Sequence, residues 1–215
     1  MLQRIKTATN PKTGAREKLL TAALSLIREK GYSSTSVDEL CAKAGVTKGA
    51  FFHHFESKTA LAVAAANHWS VITGAFFETA PYHEHSDPLD RVFGYLDFRK
   101  AILTGQIAEF TCLVGTMVQE THATSPEIRQ ACEESISGHA AKVETDIALA
   151  MKHYQILAPW SANSLALHTQ AVLQGAFILA KAKGGAAIAA ASIDHLHRYI
   201  DLLFQPEKHK SKGTS

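Results

Sequence analysis

Apolar residues recur along this chain at three- and four-residue intervals, the period of an amphipathic helix. Leu19, Leu20, Ala23, Leu24 and Ile27 predict a first helix over residues 13–30, stopped by Gly31, with Tyr32 leading onward. Val37, Leu40, Cys41 and Ala44 then fall at i, i+3, i+4 and i+7, one stripe of a short helix. Ser36 is its N-cap, and Glu39 three residues on completes a capping box. Gly45 takes a left-handed conformation after the helix end without steric cost. Thr47 caps the next helix, whose anchors are Phe51, Phe55 and Phe52. Two short helices joined by a tight turn, with small Cys41 where they approach and a glycine at the bend, form a helix-turn-helix pattern.

The helical period continues beyond it. A long connecting helix is predicted over residues 57–78 through Leu61, Val63, Trp69 and Ile72, followed by a loop at 81–88, PYHEHSDP. Asp87 and Pro88 start the next helix, which carries Leu89, Val92, Phe93, Leu96 and Ile102 and ends at Gly105. Residues 110–123 read as a helix interrupted by Gly115. Ser125 and Pro126 open another, running through Ile128, Ile136, Val143, Ile147 and Met151 to about Tyr154. Two last helices cover 162–183 and 186–204, parted by Gly184 and Gly185. The expected fold is all-α with about nine helices: an N-terminal three-helix helix-turn-helix domain (11–56) and a larger helical domain (57–204), between a disordered arm (1–10) and a disordered tail (205–215).

Composition fits a globular protein, with 46% hydrophobic and 20% charged residues. No apolar run approaches the roughly 20 residues that span a bilayer, and residues 1–10 are polar and basic, unlike a secretory signal. Cys41, Cys112 and Cys132 are odd in number, widely spaced and set in helical patterns, which points to a reducing cytoplasm and away from disulfides or zinc. Charge adds an asymmetry. Residues 1–60 hold ten Lys/Arg against five Asp/Glu, a net +5, while the remainder holds twelve against fifteen, a net −3. A basic head on a mildly acidic body suits a module that meets polyphosphate at one end.

The second helix of the pair sharpens this. Thr47, Lys48, Gly49, Ala50, His53 and His54 are small, polar or basic and cannot all serve a core. Small residues let a backbone approach a DNA groove, and Lys48 and the imidazoles donate to phosphate or base edges; the plainer alternative is a helical hairpin with a solvated basic face. Lys58 sits in the first turn of a helix, against the positive dipole end, and a DNA phosphate would offset that. Arg4 and Lys6 are either a minor-groove arm or a solvated tail. His83 and His85 flank Glu84 but have no further metal ligands nearby, so no metal site is assigned. The chain has no phosphate-binding Gly-rich loop, nucleophile elbow or paired acids at catalytic spacing, so no catalytic residue, cofactor or enzyme activity is expected.

The stretches REKLLTAALSLIREKGY and TSVDELCAKAGVTKGAFFHHFESKTAL, about residues 15–65, resemble the N-terminal domain of the TetR/AcrR family of bacterial transcriptional regulators. Gly31, Ala44-Gly45-Val46, Thr47-Lys48-Gly49, His54-Phe55, Ser57-Lys58 and Ala60-Leu61 carry the match. The resemblance implies a DNA-binding head and a helical body that binds a small inducer and dimerises. The DNA-binding residues it implies, with those read from the pattern, are Ser36, Thr47, Lys48, Gly49, Ala50, His53, His54 and Lys58. Phe52 and His53 stand where the family usually has tyrosines, so the phosphate contact of a tyrosine hydroxyl is expected to be missing at Phe52. Phe51 and Phe55 are core residues on this reading.

CLVGTMVQETHATSPEIR resembles a subgroup carrying a cysteine in this inner helix, some of whose members respond to electrophiles or oxidants. Cys112 is thus either a sensor thiol, activated by a base such as Lys181 or Lys183, or a small buried hydrophobe beside Leu113 and Met117. Candidate effector-pocket residues are Phe93, Leu96, Phe98, Cys112, Val114, Met117, Tyr154, Trp160, Gln174 and Phe177. Leu165, Leu167, Val172, Leu173, Phe177 and Ile178 are too many apolar residues for one buried side, and Gly175 and AAIAAAS permit close helix approach. That surplus fits a helical face pairing with its symmetry mate, and the resemblance implies a homodimer through the last two helices. The expected function is a dimeric, cytoplasmic repressor without membrane association, which leaves a pseudopalindromic double-stranded operator on binding a small effector or on cysteine modification. The alternative is a DNA-binding protein of the same type with an architectural, non-transcriptional role.

Overall fold

The structure, a computed structural model, describes residues 14–205; the expected arm, with Arg4 and Lys6, and all but Gln205 of the tail lie outside the described residues. Ten α-helices are found among the described residues: α1 (Ala15–Lys30), α2 (Val37–Ala44), α3 (Lys48–His54), α4 (Lys58–Glu78), α5 (Pro88–Ala101), α6 (Ile107–Phe110), α7 (Leu113–Thr121), α8 (Pro126–His153), α9 (Ala162–Lys183) and α10 (Ala187–Leu203), with a 3-10 turn at Pro81–Glu84. The all-helical expectation holds, with one helix more than foreseen. The extra element comes from 105–121: Gly105 does not end α5, which stops at Ala101, and Gly115 does not interrupt a helix. The break falls at Thr111 and Cys112, both extended, because Cys112 caps α7 by accepting the Gly115 amide on its sulfur. A capping box between Gln106 and Glu109 starts the short α6.

The chain packs as two compact units. The first comprises the described residues up to Phe77 together with Thr104–Gly138; the second comprises Glu78–Leu103 and the chain from His139. The first unit therefore holds α1–α3 together with most of α4, α6, α7 and the first half of α8.

Its core explains why the first helices form where they do. Leu19, Ala23 and Ile27 of α1 are essentially solvent-free, as are Leu40 of α2 and Phe51 of α3. Cys41 and Phe55 join them, and so do Leu61, Ala62, Ala65 and Ala66 of α4, Leu113, Val114 and Met117 of α7, and Ile128 and Cys132 of α8. Burying each large side chain contributes about 1.5–3 kcal/mol. Phe52, expected among the anchors, is instead exposed. Adjacent positions on a helix point about 100° apart, so burying Phe51 turns Phe52 outward.

The link between α1 and α2 is held from two distant helices. Glu120 of α7 accepts the backbone amides of Tyr32 (3.1 Å) and Ser33 (2.8 Å). Lys58 of α4 donates to the carbonyls of Tyr32 (3.1 Å) and Thr35 (3.0 Å) and lies 4.3 Å from the centroid of the Tyr32 ring. Thr35, itself buried, donates its hydroxyl to the Gly31 carbonyl at 2.7 Å. Gly31 has φ +92° and ψ 163°, and a Cβ there would sit 2.3 Å from the Glu120 carboxylate.

By length and composition α4 is apolar enough to cross a membrane, contrary to the expectation that no such run exists. The reason is its small side chains: alanines at 60, 62, 64, 65 and 66 make the helix apolar without bulk, and three of them pack in the core.

In the second unit α9 and α10 pack side by side, joined at Gly184, whose left-handed backbone (φ +74°) closes α9. Leu165, Leu173 and Ala180 of α9, Ile193, Leu196 and Ile200 of α10, and Val92 and Leu96 of α5 are buried. Arg91 of α5 pairs with Asp146 of α8 at 2.7 Å, and Lys100 with Asp194 of α10 at 2.6 Å.

The grip on the α1–α2 link is testable. Gly31→Ala is expected to lower unfolding free energy by about 2 kcal/mol, since its backbone region is nearly restricted to glycine. Glu120→Gln is expected to cost about 1 kcal/mol, as a charge-assisted pair weakens to a neutral one. Urea unfolding of both variants and the double mutant should be non-additive, because the new methyl displaces the same carboxylate. Strict additivity would show that Glu120 does not hold the link.

Candidate nucleic-acid interface

The cap geometry aims α3. The Ser36 hydroxyl accepts the Glu39 amide (3.2 Å) while the Glu39 carboxylate accepts the Ser36 amide (2.9 Å), a complete capping box that Lys30 braces by pairing with Glu39. Those bonds, with Lys30, hold the Glu39 carboxyl down at about 2. Gly45 is left-handed (φ +64°) and redirects the chain, and Thr47 caps α3 by accepting the Ala50 amide at 3.1 Å. With Phe51 inward, the helical step sets Gly49 and His53 opposite it, Lys48 and Phe52 on one flank, and Ala50 and His54 on the other. All of these but Ala50 are exposed, and Ala50 is half-buried. Thus Thr47, Lys48, Gly49, Ala50, His53 and His54 share one small, polar and basic surface, with Ser36 spent on capping α2.

Two lysines differ from their expected surroundings. Lys48 pairs with Asp38 of α2 at 2.7 Å, and that bond raises its pKa. For Lys58 the compensation at the helix start is internal, since two carbonyls and the Tyr32 ring supply it without a phosphate. An ammonium has three donors, and two of those of Lys58 go to carbonyls.

Cys112, half-buried, lies in the first unit, where Arg28 of α1 is a cation that interacts with it; Lys181 and Lys183 belong to the second unit. Arg28 donates to the Leu24 carbonyl at 2.8 Å and the Glu109 carbonyl at 3.3 Å and lies 5.0 Å from the Trp69 ring centroid. Burial pulls its pKa down, opposed by Cys112 and Glu109. Burial pushes the nearby Cys132 thiol up to about 12, and the Thr111 hydroxyl is buried without a hydrogen-bond partner.

The candidate effector residues fall in both units. Cys112, Val114 and Met117 are in the first unit; Phe93, Leu96, Phe98, Tyr154, Trp160, Gln174 and Phe177 are in the second. Met117 and Leu96 are core residues, and Tyr154 is exposed with its hydroxyl on Asp87 at 2.5 Å. Trp160 packs on Phe204, and Phe93 stacks on His197 at 4.2 Å.

Sequence reasoning missed the polar centre of the second unit. Gln170 of α9 donates to the Tyr95 hydroxyl at 3.3 Å, which lies 3.0 Å from His139 Nε2 of α8. Arg99 stands over the rings of Tyr95 and Phe177, and Tyr82 meets Tyr95 and Phe98. Burial, then Arg99 and Lys142, lowers the His139 pKa to about 3, so its ring is neutral and Tyr95 can donate to it. The available signal was positional. Gln170 interrupts the buried stripe Leu165, Ala166, Leu173, Phe177, and His139 lies between Ile136 and Val143 on the apolar face of α8. Among the described residues no group of His, Cys, Asp or Glu could hold a metal, the His83–Glu84–His85 segment included.

An all-helical chain with a capped helix-turn-helix presenting a basic helix to solvent defines the class of helix-turn-helix DNA-binding transcriptional regulators. The chain belongs to the TetR family: residues 19–65 match "Bacterial regulatory proteins, tetR family" and residues 88–189 match "Transcriptional regulator LmrA/YxaF-like, C-terminal domain". It is 30% identical over 117 residues to the transcriptional regulator AcuR of Cereibacter sphaeroides, covering 54% of this chain and 53% of that protein. To the HTH-type transcriptional regulator LmrA of Bacillus subtilis it is 27% identical over 140 residues, 60% of this chain and 69% of that protein. A crystal structure of a TetR transcriptional regulator from Chloroflexus aurantiacus is similar in fold, with TM-score 0.76, 25% identity, and coverage of 87% of this chain and 94% of that one.

Two measurements probe these sites. Asp38→Asn, which frees Lys48 and removes a charge that repels phosphate, is expected to raise DNA affinity about three- to fivefold at low salt, the scale of one exposed ion pair. Fluorescence anisotropy across a salt series reads it, and a drop in affinity would mean that the pair positions Lys48. For His139, the unfolded chain takes up a proton below pH 6.5 while the folded chain does not until about 3. Unfolding free energy therefore falls as pH drops through 6.5, by about 1 kcal/mol between pH 7 and pH 5.5. His139→Gln should remove that part of the slope in urea titrations, leaving the contribution of His68, whose pKa burial also lowers.

Proposed function

We propose that the chain is a dimeric repressor, cytoplasmic and without enzymatic activity, in which residues 11–56 read DNA and residues 57–204 respond to a signal. The observation that carries this reading is α3 itself: a short helix pinned by Phe51 whose exposed face is, apart from Phe52, small, polar and basic. Two such helices, roughly 34–36 Å apart, fit successive major grooves of a pseudopalindrome. Ser36, Thr47 and Lys58 position the reading helix, while Lys48, Gly49, Ala50, His53 and His54 meet the DNA. Lys58 adds a phosphate contact.

Dimerisation through α9 and α10 is supported by Leu167, Ile178 and Leu179 on α9 and Tyr199 and Leu202 on α10, all exposed in the single chain. An apolar face of this kind on a helix pair fits a four-helix arrangement with a second copy. The effector is a small molecule held in the second unit, where Tyr95, His139, Gln170 and Arg99 converge among Tyr82, Phe98 and Phe177. A few directed polar groups in an apolar surround are what small-molecule sites use. A second input is modification of Cys112. It would act on α1 through Arg28, and on the α1–α2 link along α7, which carries Cys112 at one end and Glu120 near the other. Either input shifts the population toward a head arrangement that no longer fits the operator.

The test starts from duplexes recovered by selection with the full chain, followed by release assays with a small-molecule library and with electrophiles. Tyr95→Phe is expected to raise the effector concentration for half-release, and Cys112→Ser to abolish release by electrophiles. Recovery of one or a few palindromes supports the repressor, whereas release unaltered in both variants refutes the assigned inputs.

A further inference from the structure

We infer that Phe52 reads sequence by packing its ring on the C5-methyl group of a thymine at the edge of the major groove. The inference rests on the DNA-binding reading of α3 and adds a residue that none of the polar contacts supplies. Among the described residues of α1–α3, Phe52 is the one large apolar side chain in the exposed class, at 56% of its surface. The ring is not loose. It meets the fully buried Phe51 edge to face, with centroids 5.1 Å apart and planes at 77°, so α3 presents it in a set orientation. A ring held this way loses little freedom on binding, which is why aromatic side chains serve as contact anchors.

Its position decides what it can touch. Phe52 shares a flank of α3 with Lys48, next to Gly49, which has no side chain to hold the helix away from a groove. When Gly49 and His53 face the groove floor, the flank faces its wall. A phenyl ring has no hydrogen-bonding atom, so phosphate oxygens and the polar base edges give it nothing. The apolar group that the major groove does offer is the thymine methyl, which distinguishes an A·T pair from the other three arrangements. The deoxyribose is another apolar surface within that wall, and it carries no sequence information. Where a tyrosine hydroxyl would fix the helix to a phosphate without regard to sequence, this chain instead gains a methyl reader.

The experiment uses duplexes selected from a random library by the full chain, with each thymine then replaced singly by deoxyuridine, which removes the methyl and nothing else. At one or more thymines in each half-site, replacement is expected to weaken binding by the unaltered protein about fourfold, the ratio for burying one methyl-sized group. At those same positions Phe52→Ala should bind thymine and deoxyuridine duplexes equally, and Phe52→Leu should keep part of the discrimination. The first arm needs no variant, so folding of the variants does not limit it. Insensitivity of the unaltered protein at every thymine overturns the inference, as does full discrimination retained by Phe52→Ala at every sensitive position. Those results come from a recovered operator. A selection that enriches no duplex overturns the DNA-binding reading itself, and this inference with it.

Discussion

The first unit depends on satisfying the backbone of the α1–α2 link. Where a helix ends and the chain turns sharply, amides and carbonyls lose their helical partners and must find others or stay hydrated. Here the amides of Tyr32 and Ser33 go to a carboxylate from α7, and the carbonyls of Tyr32 and Thr35 go to an ammonium from α4. Both partners are charged, which makes these bonds stronger than neutral ones. The link is thus held by one helix at its donors and by another at its acceptors. Any displacement of α4 or α7 relative to α1 must break a charge-assisted bond or drag the link with it, and α2 and α3 start from that link. Helix placement in the head is therefore set by helices outside the helix-turn-helix.

Recognition makes a different demand. The reading helix is seven residues long, too short to be stable by itself. Its shape comes from the Thr47 cap, the left-handed Gly45 and the burial of Phe51 and Phe55, which leaves its outer face free to be chosen for contact. The choice mixes two kinds of group: Lys48, His53 and His54 offer donors, and Phe52 offers only shape and apolar surface. Asp38 sits among them as a local anion. It occupies Lys48 in the free chain and must give way, at least in part, when a phosphate competes for the same ammonium.

How legible this was follows the range of the interactions. The capping box at Ser36 and Glu39, the left-handed Gly45 and the Thr47 cap act over three or four residues, so spelling alone places α2 and α3. The orientation of Phe52 was legible in principle, since two adjacent residues cannot both point into one core, yet between Phe51 and Phe55 it reads as a third anchor. The break before α7 was obscured because Gly115 looks like an interruption while the true cap is a cysteine sulfur, a weak acceptor with little propensity signal. Lys58 and Glu120 were beyond reach. Their partners lie 23 to 88 residues away, and only the packed chain brings them together. Arg28 beside Cys112 belongs to the same class: a base was expected near the thiol, but α1 and α7 meet only in the packed chain.

The polar centre of the second unit shows what such long-range pairing implies for binding. Gln170 and Tyr95 are nearly solvent-free and sit in helices whose other inward positions are apolar. Left unpaired, each would cost about 1–3 kcal/mol. They avoid that cost as a chain, Gln170 to Tyr95 to a neutral His139, in which every group depends on the next. On the proposed reading an effector seated there must extend this chain or replace one of its bonds. A wholly apolar ligand that pushed Tyr95 off His139 would break that bond and offer no polar group in its place, losing in desolvation part of what it gained by burial. A ligand with a hydrogen-bonding end set against Tyr95 and an apolar body against Tyr82, Phe98 and Phe177 avoids that loss. On that reading the site selects for molecules that are polar at one end, because breaking the chain of bonds costs more than an apolar contact returns.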